Sequence, residues 1–269
     1  MRYSNFSKIG PVDCYELGQS PIKSLLFTVF FFKIDGILID SSAMRCRNML
    51  PDFGRNGAPH KLYLTHHHED HSGNASFFQK KYQLSVYGHP KCAEKLKNSF
   101  DILPYESILF GKPEPVVVNE VPETFETSNY RFETIHTPGH CDDHVCYYVP
   151  SEGWLFSGDL YVADKIKIWR KGESVAQQIQ SLEKLLQLDF DVLFCAHNPQ
   201  AKGGKQKLLQ KQEHLIEFYE AVKLCISKGY TPRQTMSALN LKEKYHVKWI
   251  TFNDVSVIQK VMSVYKEIV

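Results

Sequence analysis

The stretch KLYLTHHHEDHSG, residues 61–73, constrains this chain more than any other. A short apolar strand runs directly into four histidines, a glutamate and an aspartate, so the fold must carry that load at a strand end. Spacing of two on extended backbone turns His66 and His68 to one side and His67 and Glu69 to the other. Asp70 and His71 then enter the turn into the next helix, which rotates a second pair of donors toward the same pocket. H-x-H-x-D-H thus offers two neighbouring metal half-sites. The plain alternative is a polar loop rich in histidine, which has no need of this alternation.

A two-metal site requires more donors, and His or Asp on loops at strand ends suit zinc, iron or manganese. His140 in HTPGH follows a strand and a Pro-Gly turn, Asp159 in LFSGD ends another strand, and His197 in LFCAH ends a third. A lone histidine at a strand end is more often structural. Three such residues after the opening motif make a set.

Around these points the chain reads as alternating strands and helices. Strands are expected over 22–34 and 36–40, turning at Asp35-Gly36, and at 61–64, 84–88, 115–119, 130–137, 144–149, 154–159 and 191–196. Helices are expected from 73 to about 82, over 90–100 and over 174–188. Early strand pairing followed by alternation suggests an α/β sandwich with helices outside two packed sheets. From 204 onward no strand is evident, and helices near 205–228, 231–239 and 253–268 form a separate piece. The expected division is a catalytic domain over 1–203 and a helical C-terminal region over 204–269.

Residues 201–269 hold 12 Lys/Arg against 6 Asp/Glu, so a basic segment follows an acidic body. RNA guidance, a lid or a homodimer surface would each use it. A solvated helix face is the simpler account, with Leu208, Leu209, Leu215, Ile216, Tyr219 and Val222 as the apolar stripe and Lys205, Lys207 and Lys211 on the solvent side. Seven cysteines without a C-x-x-C pair point to a reducing cytoplasm. No signal peptide is visible, and the apolar run at 24–32 is far short of a membrane span. A soluble cytoplasmic protein with no membrane partner is expected.

With these residues in view, the sequence resembles the metallo-β-lactamase-fold hydrolases over roughly residues 20–200. The resemblance implies an αβ/βα sandwich of two mixed sheets flanked by helices, with two divalent metal ions, zinc first and iron or manganese as alternatives. It implies that His66, His68 and His140 hold one ion, that Asp70, His71 and His197 hold the other, and that Asp159 bridges. Asp40, in LIDSSA, would brace the metal loop from behind. A metal-bridging hydroxide would attack, with Asp70 orienting it and taking its proton. Cys141 and Cys195 flank ligand positions and are expected to be inert buried thiols.

The run TPGHCDDH is similar to the subgroup containing β-lactamase-like protein 2, in which a helical, winged-helix-like piece follows the catalytic domain. Its members include endoribonucleases of single-stranded RNA. His144 and the two neighbouring aspartates would support the site. CAHNPQAKGG departs from that subgroup's G-H-G-P turn, and the glutathione grip of glyoxalase II has no matching form after Asp159. In its place LYVADKIKIWR offers Tyr161, Lys165, Lys167, Trp169 and Arg170 as a cleft wall that binds an anionic group or stacks on a base or acyl chain. An alternating strand with one solvated face explains the same segment. The leading expectation is hydrolysis of an ester, thioester or lactone of a small metabolite. The alternatives are an endoribonuclease and a non-hydrolytic iron-binding redox or regulatory protein.

Overall fold

A computed structural model describes residues 1–24, 27–54, 57–98 and 101–269. The chain opens with a hairpin that periodicity does not announce: β1 (Arg2–Ile9) pairs antiparallel with β2 (Val12–Gln19) from Arg2–Gln19 to Ile9–Val12. β1 is an almost wholly exposed edge strand, whereas β2 buries Val12, Cys14 and Leu17. β3 spans Val29–Ile34 and β4 spans Ile37–Ile39. The strand expected from residue 22 therefore begins later, and Leu25 and Leu26 lie outside the described residues. Asp35 and Gly36, with φ of 46° and 80°, make the tight turn that the Asp-Gly pair signals.

β5 (Lys61–Tyr63), β6 (Ser85–Gly88) and β7 (Val118–Glu120) complete the first sheet. Between them run α1 (Glu69–Ser72), α2 (Ala75–Tyr82), α3 (Pro90–Lys97) and α4 (Pro104–Leu109). The helix expected over 90–100 ends at Lys97, and Ser99 and Phe100 lie outside the described residues. The sheet order is β1-β2-β3-β4-β5-β6-β7, antiparallel up to β4 and parallel beyond it. The second sheet contains β8 (Thr124–Glu126), β9 (Arg131–His136), β10 (Val145–Val149) and β11 (Trp154–Gly158). After the two-residue β12 (Trp169–Arg170) and α5 (Val175–Leu186), β13 (Val192–Cys195) returns parallel to β11, giving the order β13-β11-β10-β9-β8.

The inner faces of the sheets meet through aromatic side chains, with Phe32, Tyr63, Phe132, Tyr147, Phe156 and Phe194 all buried between them. Burying each such ring contributes roughly 1.5–3 kcal/mol. Phe31, Leu62 and Phe78 form the layer outside the first sheet. The result is an αβ/βα sandwich, with every loop that carries a candidate ligand at one end of it.

The segment from 204 folds as α6 (Gly204–Ser227), α7 (Pro232–Ala238), α8 (Tyr245–Ile250), β14 (Val255–Ser256) and α9 (Val257–Ile268). Leu208, Leu215, Val222 and Val261 share one core with Leu155, Leu182 and Leu193 of the sandwich. Two expectations change here. β14 is a strand where none was expected, and it pairs with β12 through Trp169–Ser256 and Arg170–Val255; two residues are too few to leave a periodic signal. Nor does Lys211 face solvent, while Lys205 and Lys207 are only half-buried. Lys211 is 2% exposed and donates to the Leu160 carbonyl, Lys205 donates to the Leu188 carbonyl at 2.6 Å, and Lys207 pairs with Asp164 at 3.0 Å. The helix packs chiefly against α5, and through Lys207 and Lys211 its first half reaches the loop after Asp159. Among the described residues, no helix is long and apolar enough to cross a membrane.

Candidate metal centre

β5 delivers Thr65 and His66 at the end of the parallel half of the first sheet, and His68 caps α1. As the alternation predicts, His66 and His68 face each other while His67 turns away to Asp143. His66 Nε2 lies 3.1 Å from His68 Nδ1, and His140 Nε2 lies 2.9 Å from the same atom. Three imidazole nitrogens thus converge on one point. Burial, together with neighbouring imidazoles for His66 and with Arg170 and His140 for His68, holds both rings well below the usual histidine value.

On the other side, His71 Nδ1 donates to Asp40 Oδ2 at 2.8 Å, and His197 Nδ1 donates to the Thr28 carbonyl at 2.7 Å. Each bond fixes a tautomer and leaves Nε2 as a lone-pair donor. Both Nε2 atoms lie 3.2 Å from Asp159 Oδ1, and each lies 3.8 Å from an oxygen of Asp70. Asp159 Oδ2 is 3.5 Å from His140 Nε2. The carboxylate of Asp159 therefore has one oxygen toward each group of histidines.

Electrostatics say what this arrangement wants. His71 Nε2 and Asp159 Oδ1 are buried and have no hydrogen-bond partner. Burial opposes a charge on His71, but Asp159, Asp70 and Asp40 outweigh it and hold the ring well above the ordinary value. His197, half-buried, is pushed up to about 9 by Asp159 and Asp70 against the cost of desolvation. Carboxylates turned on both Nε2 atoms favour a positive charge at this point, and the donor set of imidazole and carboxylate suits a divalent cation in place of protons. Asp70, His71, Asp159 and His197 offer atoms within 4.8 Å of one another, as do His66, His140 and Asp159.

Supporting residues hold the donors still. Asp40, in a left-handed conformation at φ 61°, accepts from Thr65 N and from Thr65 Oγ1 at 2.8 Å each, beside its bond from His71. His144 Nε2 accepts from the backbone N–H of Asp159 at 3.2 Å, so its Nδ1 donates to Thr137 Oγ1 at 2.8 Å. Burial pushes the His144 ring down to about 3, keeping it neutral for that task. Gly158 has φ +47°, and an added Cβ would come within 2.7 Å of His144 Nε2 and 2.8 Å of Thr65 Oγ1. Gly158→Ala is therefore expected to push His144 off Asp159 and to cost ~2 kcal/mol. A thermal midpoint and metal content equal to the parent's would refute this.

The segment after Asp159 is divided. Tyr161 and Trp169 are each 1% exposed within the sandwich core, and Tyr161 donates to Asp164 at 2.6 Å, so neither presents a ring to a cleft. The expected stacking wall is corrected in this respect: the loop folds its aromatic side chains inward. Lys165 and Lys167 border a different cavity. Arg170 does border the cleft beside His67, His68 and His140, whose volume is about 350 Å³. Its guanidinium is held by Glu106, by Asp254 at 3.2 Å and by Glu69 at 3.7 Å. Sequence reading did not find Glu69, Glu106 or Asp254 in this role, because Asp254 lies 84 residues from Arg170 and no local pattern links them.

Comparisons with known proteins bear on the fold and the family. The family profile described as metallo-beta-lactamase superfamily matches residues 55–197, more than half of the chain. A hydroxyacylglutathione hydrolase of Serratia proteamaculans is 30% identical over 192 residues, covering 70% of this chain and 68% of that protein. Among solved structures, a metallo-beta-lactamase family protein from Thermus thermophilus superposes with a TM-score of 0.62 at 19% identity, covering 96% of this chain and 94% of that one. An archaeal metallo-beta-lactamase superfamily protein from Sulfolobus tokodaii gives 0.54 at 23% identity, covering 71% and 80%. The chain belongs to the metallo-beta-lactamase superfamily and is one of its hydrolases.

Proposed function

We propose that the protein is a dinuclear metal-dependent hydrolase that cleaves an ester, thioester or lactone of a small metabolite. The observation that carries this reading is the two-sided carboxylate of Asp159, with Oδ1 3.2 Å from His71 and His197 and Oδ2 3.5 Å from His140. In this reading His66, His68 and His140 would hold one ion, Asp70, His71 and His197 would hold the other, and Asp159 would offer an oxygen to each. Zinc suits these donors, and iron or manganese would also fit them. Such a pair of ions supplies a water acidified toward neutrality and an electrophile for the substrate's carbonyl oxygen. Asp70, 3.8 Å from Nε2 of both His71 and His197, orients the attacking water and accepts its proton. The relative named hydroxyacylglutathione hydrolase supports the thioester class. The cytoplasm is the proposed location, supported by cysteines that are all free thiols.

The test combines a hydrolysis panel of thioesters, esters, lactones and single-stranded RNA with metal analysis of the same sample. Two metal ions per chain and turnover of a small acyl substrate are expected. Stoichiometry fixed at one under saturating metal would sink the dinuclear assignment. Cleavage of RNA alone would sink the substrate class, and metal-dependent oxygen consumption without hydrolysis would favour the iron-redox alternative.

A further inference from the structure

A second cavity, of about 420 Å³, lies behind the β12–β14 ribbon, lined by Lys165 and Lys167 from the loop after Asp159, by Phe218 of α6, by Lys242 and Lys244, and by Lys260 of α9. The ribbon separates it from the metal cleft: Arg170 and Asp254 border the cleft, while Lys167 and Val257 border this cavity. Its volume is in the range of small-molecule sites, roughly 300–1,000 Å³.

The charge here is only partly compensated. Lys260 is 3% exposed, yet its ammonium has only a long contact to the Ile166 carbonyl, 3.4 Å, and the ring faces of Phe218 at 4.2 Å and Trp169 at 5.5 Å. The acids nearest in sequence are turned elsewhere. Asp164 pairs with Lys207 at 3.0 Å, and Glu243 pairs with Lys248 at 3.7 Å and accepts from the Val257 backbone N–H at 2.9 Å. Among the described residues, no carboxylate forms an ion pair with any of the five cavity lysines. Burial, then the neighbouring Lys211, pushes Lys260 down to about 8, and Glu173 only partly offsets this. A buried ammonium without a counter-charge is costly, and four more cations at the rim raise that cost.

We propose that this cavity binds a small molecule carrying two or more phosphate groups, with its apolar part against Phe218, Ile166, Leu241 and Val257. The phosphates supply the charge that Lys260 lacks and meet Lys165, Lys167, Lys242 and Lys244 at the mouth. A nucleotide and a simple polyphosphate share this chemistry. The apolar side of the cavity favours the nucleotide.

The experiment is calorimetric titration of the full, metal-loaded protein at low salt with ADP, inorganic tripolyphosphate, adenosine and a short oligoadenylate. Phosphates also bind metal centres, so two variants separate the sites. Lys242→Glu/Lys244→Glu reverses two exposed charges in a coil segment and leaves the core untouched. His68→Ala alters the metal centre alone. ADP is expected to bind the parent and the His68→Ala variant alike, and to bind the double variant at least about tenfold more weakly. ADP binding more tightly than tripolyphosphate identifies a nucleotide-like ligand; equal affinities identify recognition of the phosphates alone. The proposal is overturned if neither probe binds at millimolar concentration, if the double variant binds ADP as the parent does, or if binding vanishes with His68→Ala. Oligoadenylate binding without ADP binding would also overturn it, since that would mark a polymer track.

Discussion

His68→Ala is expected to lower turnover on the order of a thousandfold while the fold stays intact. His68 Nδ1 is the atom on which its group converges, 3.1 Å from His66 Nε2 and 2.9 Å from His140 Nε2. Losing a partner behind a ligand costs about 10–100-fold in metal affinity or activity, and losing the ligand itself costs more. The fold survives for a separate reason. The ring lines the cleft and belongs to no apolar core cluster, and the bonds that start α1 come from the His68 backbone carbonyl, which accepts from Ser72 N at 2.8 Å. Turnover, metal content and circular dichroism on one preparation check this. Near-parent turnover in a fully metal-loaded variant would remove His68 from the set.

Asp143→Ala is expected to act on stability, by ~3 kcal/mol at neutral pH. The Asp143 carboxylate is fully buried and accepts from His67 N at 2.9 Å, from His67 Nδ1 at 2.8 Å and from Lys95 at 3.0 Å. It ties the ligand loop to the turn that carries His140. Burial alone would raise its carboxyl, but His67 and Lys95 outweigh that and hold it far below the usual carboxylate range. Because the folded value is depressed, the contribution is fully present above the unfolded value of about 4 and fades as pH falls below it. Urea midpoints of parent and variant should therefore differ most near pH 7 and converge in acid. A gap that widens in acid would reverse the sign of this argument.

What the sequence made legible follows from how each feature is encoded. The candidate ligands are local: alternation at His66 and His68, then single donors at the ends of strongly apolar strands. Asp35-Gly36 is also local, and its turn forms as the pair suggests. β1 stayed hidden because it is held by backbone bonds to β2 and buries almost nothing, so it shows no period. Trp169 and Arg170 show the opposite difficulty. They are neighbours in one cationic, aromatic run, yet one enters the core and the other borders the cleft, because pairing with β14 sets which side each one faces. Nothing in the sequence close to either could reveal a partner strand so far along the chain.

That pairing has a consequence for biosynthesis. Asp254, which holds Arg170 at the cleft, emerges from the ribosome 84 residues after it. At about 5–20 residues per second, the strand bearing Asp159 is made several seconds before the segment that fastens the cleft wall. A nascent chain can gather its histidines and bring Arg170 to Glu69 and Glu106, but the Asp254 contact and the β12–β14 pairing form only after α6, α7 and α8 have been made. The cleft wall is therefore completed in the late stages of translation, after the ligands themselves have long been available to metal.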